Sequence, residues 1–183
     1  MKPLLRFDKV ALHRGGRLLF EDLDLALGAG EALQVAGPNG SGKSSLIRLA
    51  AGLLRADRGH VQRPPLALAD DNLALDRELP LERALGFWGG SVERAMDSLG
   101  IAFLADVPVR LLSSGQLRRA ALARVAASDA RLWLLDEPLN ALDGDGAARL
   151  AQLVENHRSK GGGVLAASHQ PLAGEWRRLE LVA

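Results

Sequence analysis

Gly37-Pro38-Asn39-Gly40-Ser41-Gly42-Lys43-Ser44 is the stretch on which the fold depends. A lysine and a serine directly follow the second of two glycines that frame four residues, which is the spacing of a loop that cradles phosphate. An apolar segment, residues 32–36, precedes the loop, and residues 44–54 after it carry apolar side chains at helical spacing. A turn that binds no ligand is the alternative, but the order of strand, loop and helix favours a phosphate-binding loop.

The residue types of this loop suit the chemistry of nucleotide phosphates. Glycines let backbone N–H groups approach an anion closely, and the helix that begins near Lys43 points its positive end at the same place. Lys43 is expected to reach the β- and γ-phosphates of ATP, and the Ser44 hydroxyl is expected to hold Mg²⁺. The predicted nucleotide-binding residues of the loop are Gly37, Pro38, Asn39, Gly40, Ser41, Gly42, Lys43, Ser44 and Ser45.

Two carboxylates follow a second apolar segment. Residues 132–135 form a short continuous apolar run, which is typical of a strand buried on both faces of a parallel sheet, and Asp136 and Glu137 end it. Asp136 is placed to meet the Mg²⁺ held by Ser44, and Glu137 to orient the attacking water or accept its proton. A capped turn is the alternative for these acidic residues, and the phosphate loop upstream favours the catalytic interpretation.

Strands and helices are predicted to alternate along the rest of the chain, which indicates an α/β fold. Its 183 residues suit one compact domain. Further strands are predicted at residues 4–12, 18–27, 60–62, 66–69, 163–167 and 179–182. Further helical patterns lie at residues 79–101, 114–128 and 144–157, the first with a break at Gly89-Gly90.

Composition argues against several classes of protein. The formal net charge of +1 is unlike that of a dedicated nucleic-acid surface, so no nucleic-acid partner is expected. The chain has no cysteine, which excludes disulfides, thiolate metal sites and haem attachment through cysteine. No stretch approaches the ~20 apolar residues of a membrane span, and Arg6, Asp8 and Lys9 interrupt any secretory signal. We expect a soluble chain that reaches a membrane only through a partner.

Leu112-Ser113-Ser114-Gly115-Gln116, followed by an alanine-rich helix, resembles the signature segment of the ATPases of ATP-binding cassette (ABC) transporters, with Ser114 in place of a glycine. Residues 140–143 match the D-loop of that family, and His169 matches its switch histidine. The resemblance covers nearly the whole chain. It implies a P-loop NTPase (RecA-like) parallel-sheet core with an N-terminal antiparallel β subdomain and a small α-helical subdomain that carries the signature. The core would take residues 1–75 and 129–183, and the helical subdomain residues 76–128.

The resemblance also implies a site shared between two chains. In this family two copies associate head to tail, and ATP lies between the phosphate loop of one copy and the signature segment of the other. Catalysis then falls to Lys43, Glu137 and His169. The residues expected to contact ATP held by a second copy are Ser113, Ser114, Gly115 and Gln116. Two alternatives are an ordinary helix cap at the Ser-Gly opening of this helix, residues 114–115, and a purely structural histidine at position 169.

Two positions depart from the family pattern. The glutamine that senses Mg²⁺ and contacts the membrane subunit falls at Asp71, which either approaches the metal, directly or through water, or forms a solvent-facing acidic turn. The aromatic residue that stacks on adenine is also missing, since the chain has no tyrosine. Either Arg14 or His13 would stack on the base instead, and we expect weaker base selectivity.

Four local strings, at residues 17–20, 107–113, 139–144 and 168–172, resemble the ATP-binding subunit of the cytochrome c maturation transporter, historically called a haem exporter. That subunit pairs with an integral membrane subunit on the cytoplasmic face of the bacterial inner membrane, and its ATP cycle is linked to the supply of haem. No direct haem site is evident, because the four histidines show no spacing of axial ligands.

Other functions stay open at this point. One alternative is the ATPase subunit of another small ABC importer or exporter. Another is a soluble ABC ATPase that acts in DNA repair or translation. Soluble members usually carry two cassettes, coiled-coil insertions or zinc-binding cysteines, which this chain lacks. A non-hydrolysing regulatory module is disfavoured by the presence of Lys43, Asp136, Glu137 and His169.

Overall fold

The computed structural model describes residues 2–181, in which strands and helices alternate as predicted. In chain order the regular elements are β1 (Leu5–Arg14), β2 (Arg17–Leu27), β3 (Ala32–Ala36), α1 (Lys43–Ala51), β4 (Arg58–Gln62), β5 (Leu66–Ala69), α2 (Leu81–Gly86), α3 (Val92–Ser98), α4 (Ser114–Ala127), β6 (Leu132–Asp136), α5 (Gly144–Ser159), β7 (Gly163–Ala167) and β8 (Arg177–Glu180). Two short 3₁₀ turns, Ala102–Leu104 and Val109–Leu111, lie between α3 and α4.

Five of these strands form a parallel sheet in the order β5-β6-β7-β3-β8. Every residue of β3, β6 and β7 is buried, as expected for central strands covered on both faces. Parallel pairing brings the carboxyl ends of the strands to one edge of the sheet. There Asp136 of β6 lies opposite Ala167 of β7, so the predicted catalytic side chains gather at that edge.

The other three strands form an antiparallel sheet in the order β2-β1-β4. Gly15 and Gly16, with φ of 58° and 75°, make the two-residue turn between β1 and β2, where positive φ suits glycine. Phe7 of this sheet and Leu46 of α1 belong to one buried cluster on one face of the parallel sheet. The predicted α/β fold, with its N-terminal antiparallel sheet, is confirmed.

The opposite face of the parallel sheet carries α4 and α5, which pack over Trp133 and Leu135 of β6. The segment predicted to be helical from 79 to 101 divides into α2 and α3. Gly89 and Gly90, with φ of 76° and 78°, lie in the break. The division into a core and a helical subdomain stays a prediction. Within residues 2–181, no helix combines the length and the apolar character needed to cross a membrane.

The last strand begins two residues earlier than predicted. Strand β8 runs from Arg177 to Glu180 and pairs with β3 at the edge of the sheet. Its exposed charged side chains are typical of an edge strand, so the apolar pattern at 179–182 marked only its end. Val182, which the prediction included, lies outside the described residues.

Candidate functional site

The phosphate loop joins β3 to α1, and its backbone demands glycine. Gly37, Gly40 and Gly42 have φ of 143°, 82° and 99°, where a β-carbon is strained. A β-carbon on Gly37 would also collide with the carbonyl of Leu181 and lie 2.8 Å from the Ser41 hydroxyl. The tip of the loop, residues 38–40, is exposed. The loop is thus a glycine-lined cradle open to an incoming ligand.

Two polar groups inside the loop point to an anionic ligand. The side chain of Lys43 is buried, and its ammonium donates to the carbonyls of Gly37 at 2.9 Å and Pro38 at 3.0 Å. The Ser41 hydroxyl is buried with no hydrogen-bond partner among the described residues. An unpaired buried hydroxyl is costly. A buried cation beside an unpaired donor is what a phosphate group would satisfy.

A candidate metal site lies where α1 begins and β6 ends. The Ser44 hydroxyl donates to Oδ1 of Asp136 at 3.0 Å, across 92 positions of sequence. Burial raises the pKa of the Asp136 carboxyl, and the charges of Asp71 and Glu137 add to that effect, whereas the Ser44 hydrogen bond opposes it. A cation placed here would offset the cost of the buried negative charge.

The oxygen ligands at this point fit Mg²⁺. Magnesium in proteins takes hard oxygen ligands and usually relies on one or two side chains, with water and phosphate oxygens completing its shell. The Ser44 hydroxyl and the Asp136 carboxylate offer such oxygens, and Ser44 ends the phosphate loop. Within residues 2–181, no group of three or more histidine or acidic side chains is arranged to hold a metal by itself.

Glu137 and His169 meet at the carboxyl ends of β6 and β7. Nδ1 of His169 lies 2.7 Å from Oε2 of Glu137, and the His169 backbone N–H donates to the same oxygen at 3.3 Å. The side chain of Glu137 is 20% exposed and that of His169 is 48% exposed, so both reach solvent. The carboxylate is therefore held in one direction, beside Asp136 and open to water.

Asp71 lies beside this cluster. Ala69, at the end of β5, pairs with Leu135 of β6, so the residues after β5 continue next to Asp136 and Glu137. Asp71 is exposed, and its charge contributes to the raised pKa of Asp136. Its charge thus acts on the candidate metal site, while its role as a metal ligand stays a prediction.

The β1–β2 hairpin adjoins the phosphate loop at the place predicted for adenine. A β-carbon on Gly42 would lie 3.0 Å from the ring of Phe20 on β2. His13 is engaged by Asp57, whose carboxylate accepts its backbone N–H at 2.6 Å and lies 3.0 Å from Nδ1. Arg14 is exposed at the end of the hairpin. The geometry favours Arg14 over His13 as the stacking residue, a role that stays a prediction.

The signature segment opens α4 with a capping box. The Ser113 hydroxyl accepts the N–H of Gln116 at 3.3 Å, and the Gln116 side-chain oxygen accepts the N–H of Ser113 at 2.9 Å. The alternative of a helix cap is therefore realised. It does not exclude the predicted contact with ATP, since a hydroxyl that accepts one hydrogen bond still has its own hydrogen to donate.

The predicted D-loop packs against this segment. A β-carbon on Gly115 would lie 2.9 Å from the Ala141 carbonyl oxygen, and Ala141 itself has a φ of 62°. Asp143 caps α5 by accepting the N–H of Gly146 at 2.8 Å, and it pairs with Arg119 of α4 at 2.5 Å. The Gly146 hydrogen bond and Arg119 lower the pKa of Asp143. The D-loop thus packs against Gly115 and is tied to α4 through the Arg119–Asp143 pair.

Two residues of the site were missed from the sequence. Gln34, buried in the middle of β3, donates to the carbonyls of Ser168 at 3.3 Å and Gln170 at 2.7 Å, on either side of His169. A glutamine inside the apolar run 32–36 is a signal that could have found it. Arg118 of α4 donates to the carbonyls of Asp136 and Glu137, and nothing in the local pattern around it indicates that role.

Comparison with protein families gives one match. The family model described as "ABC transporter" matches residues 20–140. The cytochrome c biogenesis ATP-binding export protein CcmA of Sphingopyxis alaskensis is 57% identical over 181 residues, covering 94% of this chain and 93% of the relative. The protein of the same name from Zymomonas mobilis is 50% identical over 170 residues, covering 89% and 77%.

Solved structures share the fold. A putative ABC transporter ATP-binding protein from Pyrococcus furiosus superposes with a TM-score of 0.85, at 19% identity, over 97% of this chain and 96% of that one. The ATP-binding subunit of an ABC transporter superposes with a TM-score of 0.83, at 23% identity, over 91% and 79%. At these identities the likeness concerns the fold alone.

Proposed function

Since the chain belongs to the ABC transporter family and, within it, to the cytochrome c biogenesis ATP-binding export proteins, we propose that its loop 37–44 binds Mg-ATP and that Glu137 directs its hydrolysis. The chain is the ATPase subunit of such a transporter. The observation that carries the proposed site is the 3.0 Å contact between Ser44 and Asp136. It joins the phosphate loop to the strand that ends in Glu137.

Phosphate binding would rearrange the polar groups of the loop. Lys43 would exchange its two carbonyl partners for phosphate oxygens, and backbone N–H groups of the glycine-lined cradle would surround the β-phosphate. Ser44 and Asp136 would hold Mg²⁺. When bound, the ion supplies neutralising charge to the β- and γ-phosphates. These residues therefore orient the nucleotide and offset its charge.

Glu137 is the residue that we assign to the attacking water. Its carboxylate would orient that water and accept its proton, and the 2.7 Å contact with His169 would keep the carboxylate in position. The left-handed backbone of Glu137 supports a functional role, because such strain persists mainly at sites where the surroundings enforce it.

The signature segment would complete the site of a second copy. The Ser113 hydroxyl, the Gly115 N–H and the amino end of α4, which is 14 residues long, are donors suited to a γ-phosphate. Ser113 and Ser114 are exposed, as a surface that receives ATP from another chain must be. We infer a head-to-tail dimer that closes on two ATP molecules and opens after hydrolysis.

A groove beside the nucleotide end would receive the membrane partner. It has a volume of about 800 Å³ and is lined by residues of the 70–77 loop, α2 and α4. Phe87, which is 82% exposed, and Asp71, whose charge acts on Asp136, both line it. A cytoplasmic segment of an integral membrane subunit seated here would contact both an apolar anchor and the candidate metal site. The chain would then lie on the cytoplasmic face of a bacterial inner membrane.

The relatives' names supply the process in which we place this cycle, namely cytochrome c biogenesis and export. The proposed transport is linked to haem, and we assign no haem ligand to this chain. Purification of the tagged chain from membranes should yield an integral subunit connected with cytochrome c assembly. A membrane partner without that connection would overturn the haem assignment and leave the ATPase assignment intact.

The substitution Glu137→Gln tests the proposed site. It preserves shape and removes the base, so ATP should bind without being hydrolysed. We expect turnover to fall by roughly 100-fold or more, and a dimer to appear in ATP by light scattering and to be absent in ADP. Unchanged turnover and an unchanged monomer–dimer equilibrium would show that Glu137 is not the base.

A further inference from the structure

Arg118 lies on the second turn of α4, close behind the signature segment, and its side chain is 8% exposed. Its guanidinium donates to the carbonyls of Asp70 at 3.2 Å and Pro138 at 3.4 Å, and also to those of Asp136 and Glu137. The hydrogen bonds that the structure gives this side chain all go to backbone oxygens. One planar fork thereby joins the ends of β5 and β6 to α4.

These bonds hold the backbone on which Glu137 stands. The N–H of Glu137 donates to the carbonyl of Ala167 at 2.8 Å, and the Glu137 carbonyl accepts from Arg118 and from the N–H of Asn140 at 3.1 Å. Both sides of the residue are therefore fixed while its φ is 46°, a left-handed value that a side chain disfavours. Without Arg118, the Glu137 carbonyl loses its buried side-chain donor and keeps the Asn140 N–H, so fewer bonds oppose relaxation of Glu137 toward ordinary φ, and its carboxylate would shift away from His169.

The charge of Arg118 also suits its position. Asp71, Asp136 and Glu137 lie close enough to act on it electrostatically. A buried cation that bonds to their neighbouring carbonyls offsets the repulsion among these carboxylates and occupies no carboxylate oxygen. The carboxylates stay available to the metal and to water.

We propose that Arg118 is a positioning residue that holds Glu137 in its catalytic direction and ties that direction to α4, whose first turn carries the signature. The two halves of the nucleotide site within one chain are then connected by a single side chain. The proposal rests on the proposed role of Glu137 in ATP hydrolysis.

Arg124 provides a matched control for a merely structural role. It lies on the same helix, is also 8% exposed, and donates to the carbonyl of Leu68 on β5. None of its hydrogen bonds in the described structure reaches residues 136–138. Arg118→Met and Arg124→Met each remove a buried guanidinium from α4. Of these two variants, Arg118→Met alone also removes the hydrogen bond to the Glu137 carbonyl.

The experiment compares steady-state hydrolysis of MgATP by the full-length chain and by Arg118→Met, Arg118→Lys and Arg124→Met. For Arg118→Met we expect kcat to fall at least about tenfold, since small displacements of a catalytic group cost that much, while KM stays within about twofold. Arg118→Lys keeps the charge and part of the bonding, so its kcat should lie between those of wild type and Arg118→Met. Arg124→Met should retain the kcat of wild type in its folded fraction.

A second comparison separates positioning from damage to the fold. In the Glu137→Gln background, Arg118→Met should change the residual single-turnover rate by less than about twofold, because two residues that act as one unit are not additive. An equal loss in both backgrounds would overturn the proposal, and so would a kcat of Arg118→Met equal to that of Arg124→Met.

The remaining outcomes are also decisive. If Arg118→Met does not fold, Arg118→Lys decides the question: a lower kcat at unchanged KM supports positioning, and an unchanged kcat overturns it. Lys43→Ala serves as the baseline. Hydrolysis by wild type that does not exceed this baseline would overturn the proposed function itself. A high wild-type rate with no effect at Arg118 would overturn the positioning role alone.

Discussion

The phosphate half of the site and the signature half differ in how their polar groups are satisfied. In the phosphate half, comprising residues 37–44, 136–137 and 169, the Ser41 hydroxyl has no hydrogen-bond partner among the described residues, and the Asp136 carboxylate is buried at a cost. In the signature half, residues 113–116 and 140–143, Ser113 and Gln116 pair in the capping box, and Asp143 pairs with Arg119 of α4. The phosphate half therefore holds polar groups at a cost, whereas the capping groups and the ion pair of the signature half have their partners within the chain.

This difference fits a site that is shared between two chains. Groups that bind a phosphate and a metal form their hydrogen bonds with the ligand, so ligand binding stabilises the phosphate half. A surface that contacts ATP bound to another copy binds best when its conformation is already fixed before the two chains associate. The comparison therefore predicts a large loss of hydrolysis from changes in the phosphate half, and a smaller loss, which a second chain can restore, from changes in the signature half.

The largest expected effect comes from Lys43→Ala. Because Lys43 is the buried cation of the cradle, its loss should lower kcat for ATP hydrolysis by about 100-fold or more, as loss of one electrostatic donor does elsewhere. Phosphate release by the purified variant measures this. Lys160→Ala, an exposed lysine at the end of α5, is the control and should match wild type. Turnover of Lys43→Ala within twofold of wild type would contradict the assignment of the loop.

Ser113→Ala should have a smaller effect, which a second chain can repair. Removal of the hydroxyl should lower turnover roughly tenfold by taking one donor from ATP held across the interface. An equal mixture of Ser113→Ala and Lys43→Ala chains then forms heterodimers with one intact composite site. Half of the dimers are then mixed, and each mixed dimer has one intact site out of two. Turnover should therefore recover to about a quarter of wild type. No recovery on mixing would mean that the two halves act within one chain.

The third expected effect concerns thermal stability: removal of one carboxylate should raise the Tm in the phosphate half and lower it in the signature half. The folded pKa of Asp136 is raised above 3.8, chiefly by burial, so its ionised form costs stability at neutral pH. Asp136→Asn should therefore raise the Tm of the ligand-free chain, although it lowers hydrolysis by removing a proposed metal ligand. Asp143 has a folded pKa below 3.8, chiefly through the Gly146 hydrogen bond. Asp143→Ala should lower the Tm by roughly 2–4 °C, as loss of a helix cap does.

The pH dependence of these two Tm differences checks their cause. As the pH falls, Asp136 becomes protonated in the folded chain first, at its raised pKa, and the advantage of Asp136→Asn then disappears. The deficit of Asp143→Ala should persist to lower pH, because Asp143 stays ionised until its own depressed pKa is reached. Thermal melts in EDTA measure both. If the Tm differences of Asp136→Asn and Asp143→Ala disappeared at the same pH, the two carboxyl groups would not have pKa values shifted in opposite directions.

The parts of the fold that the sequence predicted well are those with a local apolar pattern. Strand β3, the loop and α1 follow one another as an apolar run, a glycine-rich motif and a helical apolar pattern, and the buried run of β6 is recognised without knowledge of its neighbours. Edge strand β8 was placed two residues late, because its exposed charged side chains carry little of the apolar signal. Pairing with β3, which is not a local property, sets its bounds.

The same distinction holds for the candidate site. Lys43 and Ser44 were predicted because they belong to one contiguous motif, and Glu137 because it ends a recognisable strand. Arg118 was not, because its role exists only when β5, β6 and α4 meet in space. Every amino acid has a backbone carbonyl, so the residue types of the partners do not indicate that Arg118 binds them.

Arg14 should give the smallest effect, since it is exposed at the rim of the phosphate half and has only a flat guanidinium to offer adenine. Arg14→Ala should raise the KM for ATP by about two- to fivefold with kcat unchanged, which is the size of an exposed cation–π contact. Arg17→Ala, its cross-strand neighbour in the hairpin, is the control. Stacking reads the face of a base and not its edge, so wild type should also hydrolyse GTP with a kcat/KM within about tenfold of that for ATP. A strong preference for ATP would require a hydrogen-bonding adenine site that Arg14 does not provide, and the adenine end would then have to be assigned to other residues.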